Sequence, residues 1–259
     1  MKKSPLLIFD FDGVIVDGMA EYWLSSRDAC IPLLKGRFQS PFLPTLPPKE
    51  FVQLRPWVEH GWEMVLLAAE LSREDSYLVK FGAQSFSIAY KEQRRAALDF
   101  WGWQPDYLRC ALEDARRKAI DANKDDWFSL HRPYPWVLKR LDALSEEGIE
   151  WAVLTTKGAD FASELLGYLN LTPTFLFGHE SGSKYDVLKE LISHRSVKGF
   201  IEDRRETLEK VLANAELSSL SCYLASWGYL KPGQDDCSLP HGIRLLRPET
   251  MAAPLATWA

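Results

Sequence analysis

Between residues 149 and 225, short apolar runs alternate with stretches of helical period, and this alternation most restricts the folds open to the chain. The runs at 149–154, 174–177, 198–201 and 220–225 are too short for helices, and a further run lies at 6–9. Between them, 160–170, 184–194 and 205–216 carry apolar residues at helical spacing, as in Val187, Leu188, Leu191 and Ile192, then Leu208, Val211 and Leu212. Strands alternating with helices of this length predict crossover units and a parallel sheet. Another helix is expected over 135–147, stopped by Gly148. The expected class is therefore α/β, a doubly wound parallel sheet with its ligand site beyond the carboxyl ends of the strands.

Residues 18–133 break the pattern. They hold no strand-like run but several helical ones, at 21–34, 49–71, 83–100 and 105–122, with a proline-rich loop at 40–48. So much helix exceeds a single crossover, and the segment reads as an inserted all-helical domain. The core domain is then 1–17 and 134–259. Six of the ten tryptophans (Trp23, Trp57, Trp62, Trp101, Trp103, Trp127) fall in the insert, where they are expected to fill a small helical core.

Composition is that of an ordinary globular chain, 46% apolar and 26% charged. Lys plus Arg number 31 against 36 Asp plus Glu, a formal net charge of −5 that argues against a nucleic-acid partner. A small anionic substrate is not excluded, because local charge decides there. The four cysteines (Cys30, Cys110, Cys222, Cys237) are scattered, which argues against a disulfide framework or zinc site and for a reducing compartment. The basic start before an apolar run looks like a secretory leader, but Asp10 and Asp12 interrupt it. No apolar run reaches the length of a membrane span. The expectation is a soluble, cytoplasmic protein without a membrane partner.

The first apolar run ends in Asp10-Phe11-Asp12-Gly13, two carboxylates on one face of a strand end. A calcium loop does not fit, since Val14 and Ile15 stand where such a loop needs an oxygen ligand and glycine. Other strand ends add to the cluster. One runs into Thr155-Thr156-Lys157-Gly158 and another into Glu202-Asp203. Four converging carboxylates need a hard divalent cation with oxygen ligands. Lys184, in the first turn of a helix, opposes the helix dipole, a cost that a nearby anion would offset.

These four segments, in this order, resemble the motifs of the haloacid dehalogenase (HAD) superfamily of hydrolases. Asp10-Phe11-Asp12-Gly13 matches the first motif, Thr155 the second, Lys184 the third and Glu202-Asp203 the fourth. Pro133-Tyr134-Pro135 and Trp227-Gly228-Tyr229 are similar to stretches of the phosphoglycolate phosphatase and β-phosphoglucomutase branch. The resemblance implies a HAD-like Rossmannoid core carrying a helical C1-type cap, here longer than is usual in that branch. It implies an Mg²⁺-dependent phosphatase of a small soluble phosphate monoester, with Asp10 as nucleophile and Asp12 as general acid and base. Thr155, Thr156 and Lys184 would hold the phosphate. Mg²⁺ would take Asp10, the Asp12 carbonyl, Asp203 and a further acid, Glu202 or Glu206, with Glu202 preferred. The dehalogenases proper lack an aspartate at the place of Asp12, which favours phosphoryl transfer. The alternatives are a phosphosugar mutase and a non-catalytic binding module on the same fold.

The remaining polar groups read as structural. His179, before Lys184, is the one histidine expected near the site, though on a solvent-facing loop. Arg116-Arg117-Lys118 reads as a solvated helix face partly paired with Glu113 and Asp114. Arg55, Glu59 and Glu63, spaced by four, are expected to share one helix face.

Overall fold

A computed structural model describes residues 4–35, 43–235 and 238–258. Residues 40–42 of the proline-rich loop, the basic start and Cys237 lie outside the described residues. The chain divides into two compact units. One comprises the segments up to Asp17 and from Arg132 onward; the other is Gly18–His131.

The first unit is a six-stranded, wholly parallel sheet. Its strands are β1 (Leu6–Phe9), β4 (Glu150–Leu154), β5 (Phe175–Phe177), β6 (Val197–Glu202), β7 (Cys222–Ala225) and β8 (Ile243–Leu246), in the order β5-β4-β1-β6-β7-β8. The chain starts at the centre, builds outward to β5, then returns to the other side of β1 for β6. That reversal makes a switch point at the carboxyl end of β1. The strand is fully buried, as its unbroken Leu6-Leu7-Ile8-Phe9 run requires for a sheet covered on both faces. Two short strands, β2 (Val16–Asp17) and β3 (Arg132–Pro133), pair antiparallel where the chain leaves and rejoins this unit.

The expected helix at 184–194 has those bounds, and the one at 135–147 runs Pro135–Glu146. The helix expected at 205–216 ends at Leu212, followed by a short 3-10 turn, Ala215–Leu217. β8 is an addition to the sequence reading. It is an edge strand of four residues with Arg244 exposed, so no continuous apolar run announces it.

Among its described residues the second unit is all helical: Met19–Leu34, Lys49–Leu54, Trp62–Leu71, Tyr77–Ile88, Tyr90–Trp101, Pro105–Ala122 and Lys124–Ser129. Two expectations are corrected here. The continuous helix over 49–71 is broken by Pro56, which sits in a 3-10 turn, Arg55–Trp57, followed by extended Val58. Arg55, Glu59 and Glu63 therefore do not share a helix face. The helix expected at 83–100 is two helices, the first beginning at Tyr77 and kinked at Gly82. Trp23, Trp101, Trp103 and Trp127 are buried, whereas Trp57 and Trp62 are partly exposed.

Three buried carboxylates brace this unit, each with donors at hand. Glu21 receives Arg116 and the Ser25 hydroxyl, Glu63 receives Arg94 and the Tyr90 hydroxyl, and Glu70 receives Arg73 and the Trp101 indole. Arg116 is thus not on a solvated face with its neighbours, although Arg117 does pair with Asp114. No described helix is long and apolar enough to cross a membrane.

Candidate active site

Three adjacent strands end in the polar residues singled out above. β1 runs into Asp10, β4 into Thr155, and β6 ends on Glu202 before Asp203. Because β4, β1 and β6 are neighbours in parallel register, with Phe9 opposite both Val153 and Ile201, these groups share one sheet edge. The Asp10 N–H donates to the Ile201 carbonyl, which fixes the first carboxylate against β6.

Lys184 joins the two sides. Its Nζ lies 2.6 Å from Asp10 Oδ1 and 2.6 Å from Glu202 Oε2. The other Glu202 oxygen accepts the backbone N–H groups of Asp203 and Arg204. Asp203 Oδ2 accepts the Tyr229 N–H at 2.9 Å. One oxygen each of Asp10, Glu202 and Asp203 fall within 4.8 Å of one another, and all three residues are buried.

The electrostatics follow from burial. Desolvation, then repulsion from Glu202, raises the Asp10 pKa to about 7 despite the nearby ammonium. Burial raises Glu202 as well. Burial alone would lower Lys184, but attraction to Asp10 and Glu202 wins and holds its pKa above the ordinary value. Three carboxylates thus cluster here, two of them sharing the Lys184 ammonium. An all-oxygen, electron-rich donor set of this kind fits a hard divalent cation.

Close approach of backbone makes the cluster possible. Gly13 has φ +83°, and a Cβ there would stand 2.1 Å from Asp203 Oδ2. A Cβ on Gly228 would stand 2.2 Å from that of Asp203. Trp227 secures the same loop, its indole N–H donating to the Val14 carbonyl.

The other expected groups are placed less uniformly. Thr155 is buried, and its hydroxyl accepts the Lys157 N–H at 3.1 Å, whereas Thr156 is exposed. Asp12 Oδ1 lies 3.1 Å from Lys157 Nζ. Glu206 is engaged elsewhere, by Lys231 and Gln234. His179 is exposed and paired with Glu180. Sequence reasoning assigned no role to Lys157 or Tyr229, although Lys157 stands three residues beyond the end of β4 and Tyr229 closes the Trp227-Gly228-Tyr229 stretch noted above.

No family model and no curated protein matches this sequence. Solved structures do. A predicted phosphoglycolate phosphatase from Haemophilus somnus 129PT superposes with a TM-score of 0.57 at 16% identity, over 97% of this chain and 96% of that one. A HAD-superfamily hydrolase, subfamily IA, from Geobacter sulfurreducens PCA gives 0.52 at 13% identity, over 96% and 93%. A predicted phosphatase from Clostridium acetobutylicum gives 0.51 at 16%, over 90% and 89%.

The chain has the HAD-superfamily fold. At these identities the likeness is one of architecture. On this architecture the segments matched above fall at the carboxyl edge of the sheet, where Asp10, Lys184, Glu202 and Asp203 stand together and Thr155 follows the neighbouring strand β4.

Proposed function

We propose that the chain is an Mg²⁺-dependent phosphatase that hydrolyses a small, soluble phosphate monoester through an aspartyl-phosphate on Asp10. The observation carrying this reading is the Lys184 ammonium held between Asp10 and Glu202 at the end of the central strand. A carboxylate at such a position meets two obstacles, repulsion by the anionic ester and its own tendency to keep a proton. The fixed ammonium reduces the first and opposes the second. Asp10, Glu202, Asp203 and the Asp12 carbonyl would hold Mg²⁺, which when bound adds positive charge against the phosphoryl oxygens.

The residues then divide the work. An Asp10 oxygen forms the bond to phosphorus as the ester bond breaks, and Asp12 gives a proton to the leaving oxygen. Lys184, the Thr155 hydroxyl and the Thr156 segment hold phosphoryl oxygens. Water next attacks phosphorus, Asp12 takes its proton, and the bond to Asp10 breaks, releasing phosphate and restoring the Asp10 carboxylate and the protonated Asp12. The inserted helical unit serves as the cap in this reading.

A panel of phosphorylated metabolites, assayed for released phosphate with Mg²⁺ and again with a chelator, tests the proposal. Release that depends on the metal and disappears in Asp10→Asn supports it. Retention of activity within tenfold in that variant, with contamination excluded, overturns it. Isomerised sugar phosphate in place of free phosphate would point to the mutase alternative.

A further inference from the structure

The candidate site contains a second buried ammonium that the mechanism above does not use. Lys157 lies three residues beyond the end of β4, and its side chain is only 11% exposed. Its Nζ stands 3.1 Å from Asp12 Oδ1 and near two aromatic rings, 5.1 Å from the Phe161 centroid and 5.8 Å from that of Phe11. The main chain there is tied from two directions. The Lys157 N–H donates to Thr155 Oγ1, and its carbonyl accepts the His179 N–H from the loop after β5, each at 3.1 Å.

Burying an ammonium costs solvation, so the cation belongs where a fixed anion recovers it. The aromatic faces add attraction and keep water from weakening the pair. Lys184 is already engaged by Asp10 and Glu202, so the two lysines serve different carboxylates. The anchored backbone makes Lys157 a rigid support, and the group it supports is the one that must give a proton in one step and take one in the next. We infer that Lys157 is a positioning residue, holding the Asp12 carboxylate in place for both proton transfers. The inference rests on the phosphatase reading above.

The test uses Lys157→Met, which keeps length and removes charge, and Lys157→Arg, which keeps charge. With p-nitrophenyl phosphate the leaving phenolate needs little proton help, so the Met variant should still release a burst of p-nitrophenol near one equivalent. Its steady turnover should fall about 10- to 100-fold, the usual cost of misplacing a reacting group. KM should fall with kcat, because a slowed second step lets the phosphoenzyme accumulate. The Arg variant should recover part of the loss. Adding Lys157→Met to Asp12→Asn should cost almost nothing further, because one residue acts through the other.

Burst and turnover falling together, or independent multiplication of the two losses in the double variant, would overturn the inference. If Lys157→Met does not fold, Lys157→Gln is compared in the same way. A parent protein that releases no phosphate from any ester removes the phosphatase reading and this inference together. An active parent with an unaffected Lys157 variant removes the inference alone.

Discussion

Glu202 bonds in two directions at once. One oxygen receives the Lys184 ammonium, and the other accepts two backbone N–H groups from the turn that follows β6. Asp203 accepts the Tyr229 N–H, and Glu206 is drawn away by Lys231. These differences rank their expected roles toward a metal. Asp203→Ala should raise the Mg²⁺ concentration needed for half activity the most, Glu202→Ala next, and Glu206→Ala least. An Asp203→Ala curve that overlays the parent would exclude Asp203 as a ligand. Asp10→Asn is nearly isosteric, so its melting midpoint should stay close to that of the parent while turnover falls more than about 1,000-fold. Activity assays beside thermal melts separate those two effects.

At the scale of elements, legibility followed burial. β1, β4 and β6 are core strands covered on both faces, so their apolar runs and polar ends stood out. β8, an edge strand with an exposed Arg244, did not. The helix drawn through 49–71 failed because Phe51, Leu54, Val65 and Leu66 keep helical spacing across the break at Pro56 while all packing into the buried core. The strand-end carboxylates were readable as a cluster, and so was Lys184 as a cation awaiting an anion. Its two partners, Asp10 and Glu202, lie 174 and 18 residues away, and the Tyr229–Asp203 contact spans 26. No local pattern encodes such pairs; they follow from strand order. The turn after β1 supplies a further test. Gly13→Ala should strain a left-handed residue and push on Asp203, so the Mg²⁺ requirement should rise about tenfold or more with the secondary structure intact. Circular dichroism with a metal titration checks both halves, and an unchanged titration would show that the contact yields at little cost.

For the molecule as a whole, the buried carboxylates link stability to pH and metal. Asp10 titrates near 7 in the folded protein, well above its ordinary range, because burial and Glu202 disfavour its charge. Between that ordinary range and about 7 the folded chain therefore holds a proton that the unfolded chain has lost. Its contribution to metal-free stability is largest at the acid end of this window, declines as pH rises, and is gone above about 7. Glu202, also raised, acts in the same direction. A divalent cation needs these groups ionised and competes with their protons, so its stabilisation should grow over the same window. Melting midpoints measured with Mg²⁺ and with chelator, at pH 5.5 and at pH 8, should differ more at pH 8. Taking the difference at each pH cancels carboxylates elsewhere in the chain that titrate without the metal. Asp10→Asn should reduce the metal effect at pH 8 and flatten its dependence on pH. Equal Mg²⁺ shifts at both pH values in the parent would mean that the ion binds outside this cluster, and the carboxyl edge of the sheet would lose its claim to the metal.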